Sequence, residues 1–278
     1  MKIAVVGKGG SGKSSISRLL TQYLLQEKQK VCAIDSDHNM DFTDLLGYEF
    51  NEESPSFRDL YDELFVFLDK DRRETKPKEL IRENLGYSRF FLDTPDDFTK
   101  KVMIQQGENF KLATLALGTE DVMLGNSCAH GLSNPLKIYL SLLDEGKYTV
   151  VVDGVAGVDM INFGLYHACD YLIIVVEPSR NGIKVAKQIK NLCDISSVNY
   201  GLIVNKYQPN AYADQIYEEM GDKVIGSIAY DEGLFAYDYE KIAETVKKSI
   251  ANIYMEMQIF KGFSLIERIR KLEELKGN

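Results

Sequence analysis

Eight consecutive residues, Gly7-Lys8-Gly9-Gly10-Ser11-Gly12-Lys13-Ser14, fit the pattern G-x-x-x-x-G-K-[ST]. Glycines at these spacings let successive backbone N–H groups turn inward around phosphate oxygens. A helix that opens directly after the loop adds the partial positive charge of its N-terminus. Lys13 is then placed to reach the β- and γ-phosphates of a nucleotide, and the Ser14 hydroxyl to ligate Mg²⁺. Gly9, Gly10, Ser11, Gly12 and Ser15 complete the expected ATP-binding stretch. The competing reading is a glycine turn that only starts a helix.

Such a loop needs a strand before it and a helix after it, and the flanking residues supply both. Ile3–Val6 is an apolar β-branched run, and Ile16, Leu19, Leu20, Tyr23 and Leu24 recur at helical spacing. Further strand candidates are Val31–Ile34, Leu112–Leu117, Tyr148–Val152, Leu172–Val176, Gly201–Val204 and Val224–Ile228. Several are almost unbroken apolar runs, as strands buried on both faces should be. Their alternation with helical patterns predicts an α/β fold, a doubly wound and mostly parallel sheet with helices on both faces. Residues 1–278 are expected to form a single domain with a helical insertion at about 47–109. The insertion carries the mixed-charge run Asp69-Lys70-Asp71-Arg72-Arg73-Glu74, which fits a solvated rim better than a binding tail. Phe263, Leu265, Ile266, Ile269, Leu272 and Leu275 share one face of an expected C-terminal helix at about 263–276. Its nearly balanced charges suit docking on protein rather than on a membrane surface.

The chain has 278 residues, 45% hydrophobic and 27% charged, the balance of a folded globular protein rather than a disordered one. No apolar run reaches the roughly 18–20 residues that a membrane span requires. The opening Met1–Gly7 run is too short for a signal peptide, so a cytoplasmic location is expected. A net charge of −9 opposes sequence-independent contact with nucleic acid. Cys32, Cys128, Cys169 and Cys193 form no C-x-x-C pair, which excludes a zinc finger on spacing and argues against a disulfide framework. Cys32, Cys169 and Cys193 sit among apolar neighbours and are expected to be buried.

Lys8, directly after the first glycine, is the finer signal. The segment resembles the deviant Walker A loop, KGGxGK[ST], of the MinD/ParA/nitrogenase iron protein class of ATPases. In that class the lysine reaches across an ATP-bound dimer to the partner's nucleotide and stabilises charge on the transferring phosphoryl group. The resemblance implies catalytic roles for Lys8, Lys13 and Asp37. Asp37, in the segment Asp35-Ser36-Asp37-His38-Asn39, would orient the attacking water at the metal, with Asp35 supporting the metal region. For Asp35 and Asn39, loop capping is an equal alternative. Asp153-Gly154-Val155-Ala156-Gly157 is similar to Walker B with switch II, so that Asp153 would hold Mg²⁺ through water and the Gly157 N–H would sense the γ-phosphate. Asn205-Lys206, after an expected strand, stands where the class contacts the base. The stretch Asn205-Lys206-Tyr207-Gln208 lacks the aspartate of guanine-specific N-K-x-D loops, which points to adenine.

Within that class the chain resembles the CooC-type carbon monoxide dehydrogenase accessory ATPases. Thr94-Pro95-Asp96-Asp97-Phe98, Lys111–Gly118, Val175-Val176-Glu177-Pro178-Ser179-Arg180 and Gly226–Asp231 carry that likeness together with the first 40 residues. Two departures stand out. Cys128-Ala129-His130 replaces the family's Cys-x-Cys, and Val155-Ala156-Gly157-Val158-Asp159-Met160 replaces the usual E-A-G-I-E-H. The resemblance implies an ATP-gated homodimer that assists nickel or iron–sulfur centre assembly in a client metalloenzyme, with no nucleic acid and no membrane partner. Cys128 and His130 of two subunits would offer four ligands to Zn²⁺ or Ni²⁺ at the dimer seam. The plainer reading is a buried cysteine beside a surface histidine. Two other functions remain open: a MinD/ParA-like positioning or partition ATPase, and a reductase like the nitrogenase iron protein. The second would need a cluster cysteine shortly after switch II, and Val158–Gly164 has none.

Overall fold

All six residues of the first strand, β1 (Lys2–Gly7), are buried, as expected where Ile, Ala and Val succeed one another without a polar face. The structure is a computed structural model that describes residues 1–37, 40–51, 53–84, 87–115, 133–157, 165–195, 198–236, 238–259 and 267. The other strands are β2 (Lys30–Asp35), β3 (Phe90–Phe91), β4 (Met103–Gln106), β5 (Phe110–Thr114), β6 (Leu143–Asp144), β7 (Tyr148–Asp153), β8 (Tyr171–Val176), β9 (Tyr200–Tyr207) and β10 (Val224–Ala229). Eight of them form one sheet in the order β10-β9-β8-β1-β7-β2-β5-β4. Every pairing is parallel except that of β4 with β5 at the edge. Helices cover both faces of the sheet, so the fold is the doubly wound α/β architecture that the sequence predicts.

The pleat sorts the core into two layers. Ile3 and Val5 face Ile16, Leu19, Leu20 and Leu24 of helix α1 (Lys13–Gln26) and Ile250, Ile253 and Met257 of helix Glu244–Gln258. Ala4 and Val6 face the opposite cluster, which takes in Ile183 and Ile189 of helix Arg180–Ile195 and Ile138 and Leu140 of helix Asn134–Ser141. β1 lies between β7 and β8, while α1 carries the chain past β7 to β2. The order of strands therefore reverses at the carboxyl ends of β1 and β7, where open sheets of this kind bind ligands.

Two expectations need correction. The strand expected at Leu112–Leu117 is Phe110–Thr114, in register from Val31↔Phe110 to Asp35↔Thr114. β2 ends at Asp35, so the pairing stops there, after the Leu115 N–H donates to the Asp35 carbonyl at 2.8 Å. Residues 116 and 117 lie outside the described residues. The stretch 47–109 is also more than a helical rim. It holds helices α3 (Tyr61–Phe67), α4 (Pro77–Glu83) and α5 (Asp97–Val102), with α2 (Asp41–Leu45) just before it, but also β3 and β4. Its rings enter the core: Phe57 and Phe90 each lie 4.8 Å from the Tyr139 ring, and Phe90 lies 5.4 Å from Phe98. Burying these rings outweighs the charge of the neighbouring run, because each carries far more apolar area than an exposed ion pair can offset. The run itself stays at the surface, with Arg72 on Asp62 at 2.7 Å and Lys70 on Glu83.

Cys32, Cys169 and Cys193 are buried. Burial pushes the Cys32 and Cys193 thiols up to about 12, which makes them packing residues rather than nucleophiles. Cys128, His130 and all but one residue of the expected helix at 263–276 lie outside the described residues.

Candidate functional site

The loop between β1 and α1 has the backbone that phosphate cradling requires. Gly10 and Gly12 adopt φ of 79° and 91°, a region that a residue with a Cβ enters only under strain. At Gly12 a Cβ would also strike the Asn205 side-chain amide. The Ser11 N–H donates to the Lys8 carbonyl at 3.1 Å and closes the turn. Gly12 is the N-cap of α1, so no side chain caps the helix, and its first turn holds no acidic residue. No side-chain cap occupies the first N–H groups of α1, so the helix end is suited to an external anion. Lys13 stands in that turn and is only 7% exposed.

Beneath the loop, Asp153 ends β7 fully buried. Ser14 Oγ donates to one carboxylate oxygen at 2.7 Å and Ser17 Oγ to the other at 2.6 Å. The Ser36 N–H and hydroxyl donate to the Asp153 carbonyl at 3.0 and 2.6 Å, which ties the loop after β2 to the same point. Burial pushes the Asp153 carboxyl up to about 6 despite the two serines and Lys13, with Asp37 adding to the rise. Asp35, its partner across the β2–β7 pairing, is pushed up to about 7 by burial and then by the Asp153 charge. Asp41, in the first turn of α2, is raised by burial and by Asp37 and Asp44, while Lys13 lowers it.

Of the two readings for Asp35, the geometry matches capping. Its Oδ2 accepts from the Thr43 N–H at 2.8 Å and the Thr43 hydroxyl at 3.1 Å, and its Oδ1 accepts from the Asp37 N–H at 3.1 Å. Asp37 is half-buried in that turn, beside the Asp153 and Asp41 charges; Asn39 lies outside the described residues. Sequence reasoning overlooked Ser17, Ser36 and Thr43. Ser17 had a signal, since it follows Ser14 by three positions and therefore shares its face of α1.

A magnesium ion fits this donor set. One hydroxyl and one carboxylate, with waters and nucleotide oxygens completing the octahedron, is how Mg²⁺ is held where phosphate is the main ligand. Burial is the main cause of the raised Asp153 and Asp35 carboxyls, and a cation beside them would offset the cost of carrying their charge there. A Zn²⁺ or Ni²⁺ site has no counterpart among the described residues, where no three His, Cys, Asp or Glu side chains converge.

The remaining expected residues occupy the same rim. The Asn205 amide donates to the Ser11 carbonyl at 2.9 Å, and Lys206 Nζ donates to the Gly10 carbonyl at 2.7 Å. Gly12, Ser15, Asn205 and Lys206 form one wall of a small cleft; Tyr230, Asp231, Leu234 and Phe235 form the other. Asp231 is occupied as a helix cap, accepting from Leu234 and Ala243 N–H groups at 2.8 and 3.0 Å. Tyr230 and Phe235 are 49% and 70% exposed with ring centroids 6.1 Å apart, an aromatic pair the sequence reading did not single out. Two residues are engaged within the chain. Lys8 Nζ lies 2.9 Å from Glu177, and the Gly157 N–H donates to the Gly7 carbonyl at 2.8 Å.

The profile of the CobQ/CobB/MinD/ParA nucleotide binding domain matches residues 2–243. An uncharacterised ATP-binding protein of Methanocaldococcus jannaschii is 29% identical over 231 residues, covering 82% of this chain and 87% of its own. The carbon monoxide dehydrogenase accessory protein CooC of Rhodospirillum rubrum is 30% identical over 261 residues, with 86% and 87% covered. Among solved structures, the septum site-determining protein MinD of Pyrococcus horikoshii, complexed with Mg-ADP, superposes with a TM-score of 0.62 at 17% identity, covering 92% of this chain and 95% of that one.

Proposed function

The chain belongs to the CobQ/CobB/MinD/ParA family of nucleotide-binding domains, and on that premise we propose that it is a Mg²⁺-dependent ATPase that closes into a homodimer on ATP and assists metal-centre assembly in a client enzyme. The observation that carries the ATPase reading is the Ser14–Asp153 contact of 2.7 Å directly beneath a glycine loop that opens a helix. The loop N–H groups of residues 10–15 would bind the phosphates, and Lys13 would neutralise the β- and γ-phosphates. Ser14 would ligate Mg²⁺ directly and Asp153 through water; the ion, when bound, offsets charge on the phosphate oxygens. Asp37 would hold and orient the attacking water. The base would enter the cleft between Asn205 and the Tyr230–Phe235 pair, with Lys8 serving the partner's nucleotide.

Replacing Lys13 by alanine is expected to weaken ATP binding by about 30-fold or more, the worth of a lost charge-assisted contact of ~2 kcal/mol. Equilibrium dialysis with labelled ATP reads this directly, and wild-type affinity in Lys13→Ala would refute the nucleotide site. Competition that favours GTP over ATP would refute the adenine assignment.

The client role is supported by the Rhodospirillum rubrum relative, which its name makes an accessory protein of carbon monoxide dehydrogenase. On this reading Cys128 and His130 from both subunits hold Zn²⁺ or Ni²⁺ as cargo at the seam. The ATP-bound dimer is expected to carry close to one metal per dimer, and Cys128→Ser or His130→Ala should remove it. Metal analysis after gel filtration decides the matter. No bound metal in any nucleotide state, or metal indifferent to both changes, would leave the ATPase without this cargo site.

A further inference from the structure

Lys8 is not extended from the surface. Its Nζ donates to Glu177 Oε1 at 2.9 Å and to the Gly9 carbonyl at 3.2 Å. A second cation faces the same carboxylate, with Lys206 Nζ 3.6 Å from Oε2. Lys206 has φ of 53° near the end of β9, a left-handed conformation that a lysine adopts only where its surroundings impose it. Glu177 is itself held in place. Ser179 Oγ donates to Oε1 at 3.2 Å and accepts from the Gly182 N–H at 3.0 Å. Burial pushes the Glu177 carboxyl up, but Lys8, Ser179 and Lys206 outweigh it and hold it below the ordinary range, so the carboxylate is charged.

We propose that Glu177 is a positioning carboxylate that parks Lys8 on its own subunit, so that pairing of two ATP-bound copies requires Lys8 to leave Glu177 while Lys206 stays to balance it. This rests on the reading that Lys8 serves the partner's nucleotide. One ammonium cannot contact Glu177 in its own subunit and phosphate oxygens in the other, so the two sites compete. The side chains of Lys8 and Glu177 are 32% and 19% exposed, so water screens their contact and the phosphates of a bound nucleotide can outcompete it. Because Lys206 already lies beside Oε2, departure of Lys8 does not leave a bare half-buried carboxylate. Lys206 thus sets how firmly Lys8 is held.

The test is the ATP-dependent dimer dissociation constant, by sedimentation equilibrium in a hydrolysis-blocked Asp37→Ala background with saturating Mg-ATP. Glu177→Gln removes the competing charge and is expected to tighten the dimer about fivefold, the scale of a partly screened ion pair. Lys206→Met leaves Glu177 with Lys8 alone and is expected to weaken the dimer by a similar factor. A structural role for this corner would move both variants the same way. An unchanged or weakened dimer in Glu177→Gln overturns the parking role, as does a tightened or unchanged one in Lys206→Met should Glu177→Gln not fold. Lys8→Ala separates the two layers of the argument. Normal turnover without Lys8 would refute its action across the dimer, whereas a strict need for Lys8 with an inert Glu177→Gln would refute parking alone.

Discussion

Lys8→Ala is expected to lower ATP turnover by about 1000-fold, at the low end of what a cation supplied to the transferring phosphoryl group contributes. ATP binding to the monomer should persist, because Lys13, the loop amides and Ser14 remain. Dimerisation should be lost with turnover. In the structure the Lys8 ammonium lies 2.9 Å from Glu177. Steady-state hydrolysis together with equilibrium dialysis checks both halves of the expectation. Turnover at the wild-type rate would show that Lys8 is only the surface partner of Glu177. Loss of binding along with turnover would place it in its own subunit's nucleotide site.

Asp153→Asn should move activity and stability in opposite directions. Hydrolysis is expected to fall about 1000-fold, because a magnesium ion at phosphate oxygens supplies several kcal/mol of charge stabilisation. The nucleotide-free protein should nevertheless become more stable near neutral pH. Asp153 titrates at about 6 and Asp35 at about 7 when folded, against an ordinary carboxyl value near 3.8. Between these values the folded state holds more protons than the unfolded one, so stability falls as pH rises from about 4 to about 7 and levels off above. Asparagine carries no charge into that burial; its Oδ1 can accept from one serine hydroxyl while its Nδ2 donates to the other. A gain of about 1–3 kcal/mol is expected near pH 7.5 and only about half of it near pH 5, where the unfolded carboxyl is already ionised but the folded one is not. Urea denaturation at the two pH values, without Mg²⁺ or nucleotide, measures it. A variant less stable than wild type near pH 7.5 would mean that the carboxylate's two hydroxyl bonds outweigh its burial.

Local signals make much of the candidate site legible in the sequence alone. Gly7–Ser14 is a contiguous backbone device, and contiguous devices are written in residue order. Asp37 and Asp153 are legible because each follows a strand and parallel strands end together at one edge of the sheet. Ser17 escaped notice because a serine on a helix looks like any other until the strand beneath it is known. Thr43 escaped because its role depends on how the loop after Asp35 folds back. The Tyr230–Phe235 pair became informative only through its position across a cleft from Asn205.

The order of the elements, the buried parallel strands and the phosphate loop are properties of short windows: apolar runs, helical spacing and glycine at positions of positive φ. Those the sequence determines by itself, because each rests on residues a few positions apart. What it could not contain is which distant groups neutralise each other. Glu177 is 169 residues from Lys8 and reads only as a residue before Pro178, yet folding sets them 2.9 Å apart. Likewise Asp35 and Asp153 are separate strand ends until β2 and β7 pair in register and the Asp153 charge adds to the cost of ionising Asp35. Charge coupling acts through space over a few ångströms, and only the tertiary structure decides which charges come that close.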